Sequence, residues 1–166
     1  MQKHLLILLF ISLAALTSHG QKLFVLESLN DMPSETLDEQ FSVYHLTKAP
    51  VQALHKTLQR GGSAEVLLSL QLGSLQPVEL KLTAHDLRAP DYQLVLGDAE
   101  GRRVLPKSAN KTYRGHAAGT TTDQVRLTVD EGFLYGFIES RAKTYFIEPA
   151  WYLDPSLPEG TYVWYE

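Results

Sequence analysis

From Ala64 to the end of the sequence, apolar residues recur mainly at every second position. Val66, Leu68, Leu70 and Leu72 alternate with Leu67, Ser69 and Gln71; after a Gly73–Pro77 turn, Val78, Leu80 and Leu82 alternate with Glu79, Lys81 and Thr83. A period of two puts alternate side chains on opposite faces of a strand, and a link of about five residues favours an antiparallel hairpin. The pattern then repeats. Tyr92–Leu96 reads as a strand ended by Gly97-Asp98, with Arg103–Leu105 returning beside it. Thr112–His116, Gln124–Val129, Phe133–Ile138 and Lys143–Ile147 follow, with turns at Ala117–Gly119, Asp130–Gly132 and Glu139–Ala142. Trp151-Tyr152 and Thr161–Tyr165 add one more strand. Short turns between alternating segments make a meander. The expected fold is mainly β (α+β), an antiparallel β-sandwich or meander with one amphipathic helix packed on it.

That helix lies upstream. Val51, Leu54 and Leu58 recur at helical spacing, with Thr47 as N-cap, Pro50 in the first turn and Gly61-Gly62 as the stop. Phe41–Leu46 reads as a short strand before it. Residues 21–40 are polar and turn-forming around Leu23–Leu26, and read as a flexible leader that adds an edge strand. Residues 1–20 open with Met1-Gln2-Lys3-His4 and continue as an apolar run from Leu5 to Leu16. Too short to span a bilayer comfortably, the run matches a secretory signal peptide cleaved before Gln21. The chain is therefore expected to be secreted or periplasmic, with no membrane contact once the signal is removed. Residues 41–166 form one β-rich domain.

The chain has no cysteine, which removes thiolate, disulfide and zinc-cluster chemistry. Its formal net charge is −4, with basic residues scattered, so nucleic acid is set aside as a partner. No two histidines stand at the spacing of a helical zinc site, and the sequence calls for no metal and no cofactor. His85-Asp86 has the look of a base and its orienter, yet no serine in a nucleophile-elbow context is there to be activated; a turn is preferred. Asp123, Asp130 and Glu131 lack the ligand spacing of a calcium loop and read as solvated turn residues. No catalytic residue is assigned.

Tyr145, Phe146, Trp151, Tyr152, Tyr162, Trp164 and Tyr165 crowd the final stretch. Either alternate rings fill the core while the others cover it, or they form an exposed strip that docks on a partner. The sequence stops within that strip, at Trp164-Tyr165-Glu166, which reads as though something normally follows.

Four stretches form an ordered series: Tyr113-Arg114-Gly115-His116-Ala117-Ala118-Gly119, Gln124–Val129, Gly132-Phe133-Leu134-Tyr135-Gly136-Phe137-Ile138, and Tyr145-Phe146-Ile147-Glu148-Pro149. Together they resemble the propeptide of reprolysin-type (adamalysin-like) zinc metalloproteases: a G-H-x-x-G turn, a V-R-L strand, a G-x-I/F-x-G-x-I strand and a closing Y-x-I-E-P strand. Asp86-Leu87-Arg88-Ala89-Pro90-Asp91-Tyr92 is similar to the segment after that family's first aliphatic hairpin, particularly in bacterial members. The likeness runs from about Phe41 to Glu166. It implies a non-catalytic domain that keeps a protease latent and assists its folding, with the catalytic residues in a domain not represented in this sequence. The expected partner is a reprolysin-type catalytic domain, in cis or in trans. Having no cysteine to set against the zinc, the domain would act by occluding the cleft. The alternative is a secreted β-sandwich binding or adhesion module without a protease partner. Candidate partner-contact residues are Asp86, Arg88, Asp91 and Tyr92, where Pro90 blocks regular pairing and a protruding loop is expected, together with Trp151, Tyr152 and Trp164 from the aromatic stretch.

Overall fold

The computed structural model describes residues 22–29 and 32–166, so the signal-peptide reading of residues 1–20 lies outside the described residues. The alternating segments become strands and pair as their turn lengths predict. β3 (Val66–Leu72) and β4 (Val78–Ala84) form a hairpin with Leu68 opposite Leu80. The meander comprises β7 (Thr112–Ala117), β8 (Val125–Asp130), β9 (Phe133–Ser140) and β10 (Lys143–Pro149), each antiparallel to the next. β7 also pairs with β4, which joins the hairpin to the meander.

The sheet then closes on itself, which corrects the sandwich expectation. β11 (Thr161–Tyr165) pairs with β10 and with β2 (His45–Lys48), and β2 pairs with β1 (Lys22–Ser28). β1 lies parallel to β3, with Phe24 opposite Leu70, so nine strands form a closed barrel. Closure satisfies the backbone groups that an open edge of β3 would leave to solvent or to another chain. Within residues 21–40, the expected edge strand is an inner strand of this barrel, with Phe24 and Leu26 buried. The same stretch supplies a helix, α1 (Glu35–Gln40), whose N-cap Ser34 accepts a hydrogen bond from the Leu37 amide.

The amphipathic helix is α2 (Val51–Gly61), and Val51, Leu54 and Leu58 are all buried as their spacing predicts. Its start differs from expectation. Thr47 is a buried residue of β2, and Pro50 holds the N-cap position without a side-chain bond. The strand expected over Phe41–Leu46 begins only at His45, because Phe41 closes α1 as its C-cap.

Two apolar clusters explain where alternation holds and where it fails. Inside the barrel, Leu68, Leu80, Leu82, Leu127, Ile138 and Ile147 pack with the α2 stripe. Outside it, Leu37, Leu46, Ala150, Leu157 and Val163 form a smaller cluster beneath α1 and the one-turn α3 (Ala150–Leu153). β11 is sandwiched between the two. Tyr162 and Trp164 belong to the inner cluster and Val163 to the outer one, so four consecutive residues are buried. Ser34 links the covering segments by donating to Asp154 at 2.6 Å.

Candidate functional site

Between β4 and β7 the chain leaves the barrel and returns. Leu94–Asp98 (β5) and Gly101–Leu105 (β6) pair only with each other, as a separate two-stranded sheet. β5 starts and ends two residues later than its sequence-based bounds, while β6 starts two residues earlier than expected and ends at Leu105 as expected. The turn is built locally: the Asp98 carboxylate accepts from the Glu100 amide at 2.9 Å, and Gly101 takes a φ of +121°. Every residue of β5 is exposed, as are the first four of β6. Leu94, Val95, Leu96 and Val104 therefore stand in solvent, and neither outer edge of the hairpin carries a strand among the described residues. Such a projection is an unpaired template for extended chain.

Its base is fastened by the segment expected to protrude. Asp86 receives Arg88 Nε at 2.7 Å, a terminal Arg88 nitrogen at 3.0 Å, the Arg88 amide at 3.0 Å and Lys107 Nζ at 2.8 Å. The other terminal nitrogen of Arg88 reaches across to Ser108, donating to its carbonyl at 2.9 Å and its hydroxyl at 3.0 Å. Outgoing and returning limbs are thus tied through one guanidinium. A second tie lies one residue nearer the barrel, where the His85 amide donates to the Thr112 carbonyl at 2.9 Å and the Thr112 hydroxyl donates to the His85 carbonyl.

The Arg88 guanidinium, then the Lys107 ammonium, hold the Asp86 carboxyl well below the usual carboxylate range. With so many donors committed, Asp86 and Arg88 hold the base of the hairpin together. Asp86 bonds to these cations, and no hydrogen bond joins it to the His85 ring, so the base–orienter arrangement does not form. Tyr92 is exposed with Arg88 5.8 Å from its ring centre, and Asp91 beside it is exposed as well. Lys107 and Ser108 were not singled out by sequence reasoning; the turn-forming run Pro106-Lys107-Ser108 facing Asp86-Leu87-Arg88 across the hairpin was the available signal.

The aromatic candidates lie elsewhere. Trp151 is half-buried and packs edge-on against Tyr162 at 5.3 Å, while Tyr152 is 66% exposed. Trp164 is 4% exposed, with the exposed His45 stacked on it at 4.1 Å, so its side chain serves the core rather than a surface contact. The aromatic stretch therefore divides: Tyr145, Tyr162 and Trp164 fill the core, and Phe146, Tyr152 and Tyr165 cover it. Among the described residues, no three His, Asp or Glu side chains gather where an ion could be held.

No family model matches this chain, and no curated protein matches it in sequence.

The clasp makes one prediction. Because the folded Asp86 carboxyl titrates below its unfolded value, the unclasped chain takes up the proton first as pH falls. The clasp therefore holds at neutral pH and weakens once pH drops below the ordinary carboxylate range, about 4. Asp86→Asn is expected to reproduce that loosening at pH 7. Tryptic cleavage after Arg102 or Arg103, both exposed on β6, should accelerate severalfold. Equal cleavage rates would show that the clasp does not restrain the hairpin.

Proposed function

We propose that this chain is a propeptide-like domain of an exported reprolysin-type zinc metalloprotease, keeping the catalytic domain latent and assisting its folding. The observation that carries the reading is the β5–β6 hairpin, exposed on both faces and clasped at its base. A protease cleft binds extended substrate through main-chain hydrogen bonds, and a pre-formed strand with a free edge can supply those bonds in its place. Rigid anchoring lowers the ordering entropy that a loose loop would lose on binding. The ordered motif series from Tyr113 to Pro149 supports the same reading by resemblance.

The test is inhibition of reprolysin-type catalytic domains by the purified chain. Saturable inhibition at about micromolar concentration or tighter is expected. Replacing residues 93–105 with Gly-Ser-Gly should weaken it at least about tenfold while the barrel still unfolds cooperatively. A folded chain that inhibits none of several such proteases would overturn the reading. The second reading, an exported binding module without a protease, is favoured by one observation: exposed rings of Tyr135, Phe146 and Tyr152 on the barrel's outer surface.

A further inference from the structure

The strand registers place five side chains in one row across the outer wall. Arg114 on β7 lies opposite Arg126 on β8, Arg126 opposite Phe137 on β9, Phe137 opposite Phe146 on β10, and Phe146 opposite Tyr165 on β11. All five point away from the core, since Tyr113, Val125, Leu127, Ile138, Tyr145 and Trp164 on either side of them point into it. At about 4.8 Å per strand, the row spans about 19 Å. Two guanidiniums occupy one end and three rings the other.

Both ends are unusual for a free surface. Like charges directly opposite on adjacent strands are destabilising. Arg114 and Arg126 form such a pair, and among the described residues neither ion-pairs with a carboxylate. Arg126 spends two bonds on its own strand, to the Val125 carbonyl at 2.8 Å and the Gln124 side chain at 3.3 Å; Arg114 has no side-chain hydrogen bond there. The surface depression of about 480 Å³ that they line also holds Lys81 and His116, against Glu65 and Asp123. Two further acids near the row are engaged: Glu139 accepts from the Gln124 amide and Glu148 from the Tyr165 hydroxyl. In a chain whose acids outnumber its bases, the depression itself sets three cations, Lys81, Arg114 and Arg126, against two carboxylates.

At the other end Phe146 stacks on Tyr165 at 5.4 Å with 20° between planes, and Tyr165 also meets Phe41 at 4.4 Å. One face each of Phe146 and Tyr165 is taken up in that stack, and Phe137 meets Phe146 at a tilt of 49°. A base or sugar needs an open ring face; aliphatic side chains and carboxylates pack well against ring edges, where the quadrupole is positive.

We propose that this row is a docking surface for an acidic peptide segment of a protein partner, with carboxylates on Arg114 and Arg126 and apolar side chains on the Phe137–Phe146–Tyr165 ridge. Paired guanidiniums bind carboxylates through charge-assisted, often bidentate hydrogen bonds. Arginine and aromatic residues together are the composition of an interface centre. Same-face residues of an extended peptide recur about every 6.7 Å, so four of them span about 20 Å and match the row. The surface stands whether or not the hairpin enters a protease cleft.

The test is fluorescence anisotropy of the full chain with a labelled peptide Glu-Ser-Glu-Ser-Leu-Ser-Leu. Saturable binding is expected, weakened at least about tenfold when Gln replaces both Glu residues or when the chain carries Arg114→Gln and Arg126→Gln together. Phe146→Ser should weaken it several-fold. Thermal unfolding without peptide provides an independent reading: removing one of two facing like charges should leave the Arg114→Gln chain as stable as the parent or more so. Absence of binding, equal binding of the Gln peptide, indifference to the arginine variants, or a fall in stability with Arg114→Gln would each overturn the proposal. So would tighter binding of a short oligothymidylate or a heparin oligosaccharide at the same arginines, which would make the row a general polyanion site.

Discussion

Gly136→Ala is expected to lower stability by roughly 3–5 kcal/mol and the unfolding midpoint by about 10 °C or more. Two effects add. Gly136 lies in β9 with a φ of +149°, a conformation that a residue with a Cβ rarely adopts. A Cβ built there would stand 2.0 Å from the Arg126 carbonyl oxygen and 2.9 Å from the Leu127 Cα, far inside contact distance. Neither neighbour can yield as a flexible side chain would, because both are backbone of β8 held in the β8–β9 ladder. Accommodating the methyl means breaking part of that pairing. Gly119→Ala is the control. Its φ is also positive, at +87°, but nothing lies within 4 Å of the Cβ position, so only the conformational cost of about 1 kcal/mol should appear. If Gly136→Ala and Gly119→Ala cost the same, the close strand approach is not what selects glycine at position 136.

Gly115 repeats the steric half of the argument on β7, where a Cβ would sit 1.7 Å from the Lys81 carbonyl oxygen. Both glycines belong to the motif series that resembles the reprolysin propeptide. Their spacing marks where strands approach one another in a barrel wall, so part of the resemblance reports scaffold geometry. The functional reading therefore leans on the projecting hairpin, and the protease inhibition assay bears on it more directly than the motifs do.

Legibility followed the range over which each interaction acts. The β3–β4 hairpin and the β7–β10 meander were readable because a period of two and a short turn are both local. The α2 stripe was readable for the same reason. α1 carried a local signal that went unused, Ser34 three residues before Leu37, whose amide it caps. β11 was readable at its observed bounds, Thr161–Tyr165, although both its faces are buried, whereas Trp151-Tyr152, read with it as strand, lies in the one-turn helix α3. At the candidate site, Asp86–Tyr92 was legible as irregular chain from Pro90, while its clasp was not, since Lys107 and Ser108 arrive from about twenty residues later. The arginine–aromatic row is the extreme case. No stretch of sequence places Arg114 beside Arg126 and Phe137; four separate strand registers do.

Closure of the barrel was the least legible feature, and Leu26→Ala tests it with the second largest expected effect. β1 and β3 run parallel with Lys22 opposite Leu68, so the pairing has no turn to announce it and a long loop to close. Leu26 is fully buried beside Phe24, Leu70 and Leu72 in the inner cluster. Truncating it removes apolar contact and leaves a cavity, with an expected loss of roughly 2–5 kcal/mol in denaturant unfolding. Leu23, on the other face of the same strand, is half exposed, and Leu23→Ala should change stability by less than about 0.5 kcal/mol. A leader lying loose on the surface predicts small effects at both positions, so equal and minor losses would remove β1 from the barrel. The large asymmetry has a further consequence. Weakening β1 frees the edges of β2 and β3, and unpaired edges recruit strands from other chains. Leu26→Ala should therefore aggregate earlier on heating than its loss of stability alone explains, and β1 would then be the strand that keeps the barrel from pairing with its neighbours.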